Sequence, residues 1–151
     1  MGFLQRFDLP VHALLRIIAG FLFACHGASK VFGVLGGPPP GLPPGMLWAT
    51  GLIELVAGVL VMVGLFGALA AFVCSGEMAV AYFTAHQPRA LFPLQNGGEL
   101  AILYCWTFLL IAVRGSGIWS VDAARGYGGL ASGESVGYLE VTESVELQMR
   151  D

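Results

Sequence analysis

Four apolar runs organise this chain, at 11–32, 46–65, 68–84 and 100–113. An α-helix needs about 20 such residues to cross the hydrocarbon layer of a bilayer. A backbone in lipid has no water to bond to, so every crossing segment must satisfy its own N–H and C=O groups. The spacing predicts helices over 11–32, 46–65, 68–86 and 97–114. The fourth reaches crossing length only if Glu99 and Arg114 sit at its two ends. The expected architecture is an all-α membrane protein: a four-transmembrane-helix bundle over 1–122, then an acidic tail over 123–151.

Composition agrees. Apolar residues make up 56% of the 151 and charged residues 11%, against roughly 25% charged in a soluble domain. So few charges cannot coat a water-facing surface, which excludes an ordinary soluble enzyme. Disorder needs the opposite balance, low hydrophobicity and high charge. A net charge of −3 with scattered cations excludes nucleic-acid binding through a basic face. The lipid bilayer is the first expected partner. Cys25, Cys74 and Cys105 lie singly in apolar segments, so they read as core residues and not as a dithiol centre.

The first run reads as a span and not as a cleaved leader, because His12 and Arg16 interrupt it and no small-x-small site follows Lys30. Its link to the second run, 36–45, holds five of the eight prolines and reads as a stiff extended connector. Gly64-Leu65-Phe66-Gly67 is short enough to force an antiparallel hairpin. The stretch 86–98 reads as a longer loop. With both termini cytoplasmic, Arg6, Arg16, Arg114 and Arg125 lie inside, and Lys30 and Arg89 outside, in the sense of the positive-inside rule. Arg16 is then expected to snorkel to the inner interface.

The tail alternates. Leu139, Val141, Val145, Leu147 and Met149 fall on one face of a period-2 pattern that Glu143 interrupts, so the tail reads as a short β-strand. A lone strand is unstable. The two readings are addition to the sheet edge of a soluble partner and an unstructured acidic tail.

Ionisable residues are costly in a bilayer, roughly 2.5–3.5 kcal/mol each at the centre on insertion scales. Here His26 and Lys30 lie on the first helix, one turn apart. Glu54 is on the second, Glu77 on the third and Glu99 at the start of the fourth. Glu54 shares its face with Thr50, Gly51, Ala57 and Gly58, and small residues mark helix contacts. All these groups fall between the midplane and the outer surface, so they are expected to line one polar pocket open outward. His86, about half a turn out of phase with Glu77 on a helix, joins them or belongs to the loop. Trp106 shares the face of Glu99 and is the aromatic expected nearest the pocket. The competing reading is polar glue between helices, at about 0.6 kcal/mol per hydrogen bond. No spacing of His, Cys or acidic residues suggests a metal site.

Four segments resemble the DoxX family. They are Leu14-Leu15-Arg16 with His26-Gly27-Ala28-Ser29-Lys30-Val31-Phe32-Gly33, Gly51-Leu52-Ile53-Glu54-Leu55-Val56-Ala57-Gly58, Glu77-Met78-Ala79-Val80-Ala81-Tyr82-Phe83 with His86, and Asn96-Gly97-Gly98-Glu99-Leu100-Ala101. The resemblance implies a small multi-pass protein of the bacterial inner membrane, associated with oxidoreductase assemblies such as thiosulfate–quinone oxidoreductases and with complexes handling sulfur or oxidative stress. The polar positions His26, Lys30, Glu54, Glu77, His86 and Glu99 match those of the family. The resemblance brings no catalytic mechanism with it.

Three functions follow as expectations. The first is an integral subunit of an oxidoreductase or stress-related complex, not catalytic alone. Its pocket would take a quinone or small substrate, with Glu54 or Glu77 relaying protons. No cofactor is held by the chain itself. The second is a non-catalytic anchor or assembly subunit bound to other subunits. The third is a small ion or solute carrier, for which four helices without an inverted repeat are few.

Overall fold

The computed structural model describes residues 2–127 apart from Pro39. Every regular element among them is helical. After a single turn at Gly2–Gln5 come α1 (Asp8–Phe32), α2 (Pro44–Val63), α3 (Gly67–Ala81) and α4 (Glu99–Arg114). A π-helical turn, Tyr82–His86, and a 3₁₀ turn, Gln87–Arg89, prolong α3. The expected strand at 139–149 lies outside the described residues.

Three segments are long and apolar enough to cross a membrane: Asp8–Phe32, Pro44–Val63 and Gly67–Arg89. The fourth is shorter than expected. At 16 residues, α4 extends about 24 Å at 1.5 Å per residue, less than the roughly 30 Å of hydrocarbon. Its N-terminus is set by the turn at Gly97 (φ +70°) and its C-terminus by Gly115 (φ +78°).

The other boundaries have local causes. α1 begins at Asp8, ahead of the apolar run, and tolerates Pro10 because first-turn N–H groups have no intrahelical partner. α2 begins at Pro44, where a proline suits the first helical position. Gly33 and Gly64, both at φ +68°, end α1 and α2 in the left-handed conformation that glycine adopts without strain. Three residues then separate α2 from α3, and the two form the expected hairpin.

The α1–α2 contact sets the width of the bundle. Gly20 and Gly27 are seven residues apart on α1, and Gly51 and Gly58 seven apart on α2. Seven residues make nearly two turns, so each pair shares one face. Gly20 lies against Gly58, and Gly27 against Gly51. A Cβ at Gly20 would sit 2.5 Å from the Met62 nitrogen, and one at Gly58 2.6 Å from the Ala24 nitrogen. The two backbones therefore touch directly, as small residues allow in membrane helices. α3 packs closely on α4 and also on α2, whereas α1 and α4 meet only sparsely. Phe23, Val61, Ala71, Cys74, Phe108 and Ile111 fill the centre, with the Phe23 and Phe108 rings 4.8 Å apart.

One end of the bundle is tied by Arg16. Its side chain does not snorkel; it is 0% exposed. Nη1 donates to the Val61 carbonyl at 2.8 Å and the Met62 carbonyl at 2.6 Å. Nη2 donates to the Trp119 carbonyl at 2.8 Å and lies 3.4 Å from that of Ile118. The Val61 carbonyl is shared with the Gly64 N–H, the Met62 carbonyl lies past the helical ladder, and a cation suits that negative dipole end. His12 Nε2 donates to the Gly115 carbonyl at 3.0 Å, and Arg114 pairs with Asp8. The start of α1 and the end of α4 thus lie at the same end of the bundle.

Asp122 completes this end. Its carboxylate accepts from the backbone N–H groups of Phe66 and Gly67, each at 3.0 Å, and from the Ser116 hydroxyl at 2.6 Å. It therefore caps the N-terminus of α3 from a segment 55 residues away.

Two predictions follow from this packing. Gly58→Val should destabilise the protein in detergent by at least about 1–3 kcal/mol, the usual cost of overpacking. Gly76→Ala, where a Cβ meets nothing within 4 Å, should stabilise by about 1 kcal/mol; thermal unfolding of both variants is the check. The second concerns pH. Burial pushes the Asp122 carboxyl up, but hydrogen bonds from Ser116, Gly67 and Phe66 and the charge of Arg125 outweigh it and hold it below its ordinary value of 3.8. A depressed carboxyl contributes stability that is complete above the unfolded pKa and is lost as pH falls through the folded one. The stability gap between wild type and Asp122→Asn should be constant above about pH 5 and shrink below about pH 4.

Candidate functional site

The opposite end of the bundle gathers the ionisable residues. Lys30, on the last turn of α1, reaches across to α2. Its Nζ donates to Glu54 Oε1 at 2.8 Å and to Thr50 Oγ1 at 3.3 Å. The close approach at Gly27 and Gly51 makes this reach short, since Gly51 lies beneath the Lys30 stem. The Lys30 side chain is 15% exposed and that of Glu54 4%. A pair so removed from water holds only while both partners stay, because either alone is an uncompensated charge in a low dielectric.

Three carboxylate oxygens beside this pair are buried without a hydrogen-bond partner: Glu54 Oε2 and both oxygens of Glu77. Glu77 comes from the C-terminal half of α3 and lies near enough to feel the charges of Glu54 and Lys30. Near it, the Ser75 hydroxyl is already spent on the Cys105 carbonyl of α4, at 2.9 Å. His26 lies within coulombic range of Glu54. Its ring meets Tyr104 edge-on, with centroids 6.1 Å apart.

The remaining expected residues lie apart from this set. His86 closes the π-helical turn, and its Nδ1 donates to the Asn96 carbonyl at 3.2 Å. The Asn96 side chain in turn donates to the Ala90 carbonyl at 2.9 Å and accepts from the Gly98 N–H at 2.8 Å. His86 and Asn96 therefore staple the 82–98 connection. Glu99 is exposed on the first turn of α4, where the helix dipole favours an anion. Trp106 is 66% exposed and lines an apolar groove of about 300 Å³ with Met78, Ala79, Tyr82, Phe83, Ile102 and Cys105, on the α3–α4 flank. A second apolar groove, of about 200 Å³, runs along the sparse α1–α4 seam and includes Leu15, Leu22, Leu103 and Tyr104. Neither groove is lined by Lys30, Glu54 or Glu77.

Sequence reasoning missed Arg16, Asn96 and Asp122. A signal for Arg16 was present. Its stripe on α1 holds Ala13, Ala19 and Gly20, small residues that mark the inward face. For Asp122 no local pattern exists, since its partners are 55 and 56 residues away.

Comparison with known proteins places the chain. The DoxX family model matches residues 11–87, which span α1, α2, α3 and the π-helical turn. This chain belongs to the DoxX family. Within that DoxX match lie His26, Lys30, Glu54, Glu77 and His86, whereas Glu99, Trp106 and Asp122 lie beyond it. A protein of Haemophilus influenzae (strain ATCC 51907 / DSM 11121 / KW20 / Rd) named "Uncharacterized protein" is 36% identical over 135 residues, covering 81% of this chain and 96% of that one. A protein of Bacillus subtilis (strain 168) named "Putative oxidoreductase CatD" is 32% identical over 117 residues, covering 72% of this chain and 82% of that one. No solved structure matches.

The ion pair makes its own prediction. Lys30→Met takes the cation from buried Glu54 and should destabilise the protein, by up to roughly 3–5 kcal/mol and by less where Glu54 takes up a proton instead. The double variant Lys30→Met/Glu54→Met should recover most of that loss, as a thermal or denaturant melt in detergent will register.

Proposed function

We propose that this DoxX protein is an integral subunit of an oxidoreductase or stress-related complex in the bacterial inner membrane, with both termini cytoplasmic and α4 as a fourth crossing. Its polar cluster would serve a quinone or a small redox substrate. The observation that carries this reading is the set of Glu54 and Glu77 oxygens, buried and unpartnered beside Lys30. Structural glue needs partnered groups, and Glu77 has a partner on neither oxygen. The name of the Bacillus subtilis relative, "Putative oxidoreductase CatD", points the same way.

A quinone has a polar ring and an apolar tail, and the residues present fit both. The α1–α4 seam offers Leu15, Ile18, Leu22, Leu100 and Leu103 to a tail, with Tyr104 among them. Tyr104 also contacts His26, which faces the charge of Glu54. A bound quinone would supply the redox chemistry. The chain itself would supply the apolar seam, the polar edge at Tyr104 and His26, and exclusion of water. Electrons would come from a partner subunit or the substrate.

The second reading is a non-catalytic membrane anchor or assembly subunit. It draws support from Arg16, Ser75, Asn96 and Asp122, all of which spend their polar groups on tying helices together. In either reading the tail face Leu139, Val141, Val145, Leu147 and Met149 would bind a soluble partner by strand addition.

The test is gentle detergent extraction of the native protein, followed by mass spectrometry of whatever stays bound. Retained quinone or a copurifying redox enzyme is the expected result, with Glu54→Gln lowering turnover of the complex while assembly persists. Full turnover in a Glu54→Gln/Glu77→Gln variant would favour the anchor instead.

A further inference from the structure

We propose that Lys30, Glu54 and Glu77 form a proton-binding site that holds one exchangeable proton, carried by Glu77. Two carboxyl groups and one ammonium group meet there. Lys30 compensates a single anion, and its hydrogen bond at 2.8 Å selects Glu54. Glu54, with its side chain 4% exposed, is therefore the acid whose charge Lys30 balances. Glu77 has no such bond on either oxygen, and both oxygens are shut from solvent. A second bare carboxylate at this place would be an unpaired buried charge, which proteins neutralise by protonation. A protonated Glu77 also removes the repulsion between the two acids, as in carboxyl pairs that share a proton.

The helices around this cluster bring other ionisable groups to it. α1 contributes Lys30, and His26 in reach of Glu54; α4 contributes Tyr104; α3 itself contributes Cys74. Tyrosine and cysteine are neutral near pH 7 at their ordinary pKa values. The proton enters and leaves by exchange with water, without any change of covalent bonding elsewhere. The site therefore separates two roles that the sequence leaves together: Glu54 is a fixed counter-ion, and Glu77 is the group that exchanges the proton. The charge count stands without the proposed oxidoreductase reading; only the use of the proton in substrate chemistry rests on it.

Infrared spectroscopy reads the count directly, because a protonated carboxyl has a C=O stretch that a carboxylate lacks. The full-length protein in lipid, with glutamate isotopically labelled, should show one such band at neutral pH that shifts in heavy water. Glu77→Gln should abolish it. Lys30→Gln should add a second band, as both acids then lack a cation. Lys30→Gln/Glu54→Gln should return the count to one, and His26→Gln should leave the single band in place. Absence of the band in the wild type, or its survival in Glu77→Gln, would overturn the proposal. Quinone retention measured on the same samples keeps the two ideas apart. A band that follows the count with no quinone retained leaves the proton site standing and removes the quinone reading; retained quinone with no band does the reverse.

Discussion

A guanidinium group buried among backbone carbonyls holds this molecule together. Arg16 reaches the last turn of α2 and the segment after α4 at once. The Val61 carbonyl also accepts from the Gly64 N–H at 3.1 Å, whereas the Met62 carbonyl and those after α4 lie past the helical ladder. In an apolar surrounding each such oxygen is costly if left alone. One planar cation with several donors satisfies them together, a geometry that lysine's single ammonium cannot match. The rest of that end follows. With the post-α4 segment drawn in, Asp122 lies where it can cap α3, and His12 can bond Gly115.

The two ends of the bundle treat charge differently. At the Arg16 end, charged and polar side chains are spent largely on backbone groups, with the Arg114–Asp8 pair and the Ser116–Asp122 bond beside them, and the nitrogens left without partners are His12 Nδ1 and Arg16 Nε. At the Lys30 end the side chains are directed at one another, and the account does not balance: three carboxylate oxygens remain without partners. Stapling accounts for most of the first arrangement. It does not account for the second, where the proposed proton site lies.

Much of the fold was legible from periodicity and turn chemistry. Apolar runs marked the long helices, and the four residues Gly64-Leu65-Phe66-Gly67 implied a hairpin that the structure contains. The small-residue face of α2, with Gly51, Ala57 and Gly58, correctly turned Glu54 inward, and Glu54 is buried against α1. What periodicity could not see was partner choice. Arg16 looked like an interfacial cation because the carbonyls that bind it belong to residues more than 40 positions away. Trp106 was placed by sharing a face with Glu99, yet a helix face can look onto an apolar flank at one level and a polar end at another. His86 was ambiguous because the π-helical turn at Tyr82–His86 breaks the 3.6-residue phase on which the placement relied.

The glycine contact between α1 and α2 has a mechanical side. Two helices whose backbones touch have no side chains between them to slide or change rotamer, so that wall of the bundle is stiff. The α1–α4 seam is the reverse: contacts are few, and the groove there is bordered by flexible leucines. Lateral pressure from the bilayer, or a molecule wedging in from it, is therefore absorbed along one vertical line of the molecule. The stiff wall keeps Lys30 and Glu54 in register while the seam beside Tyr104 yields.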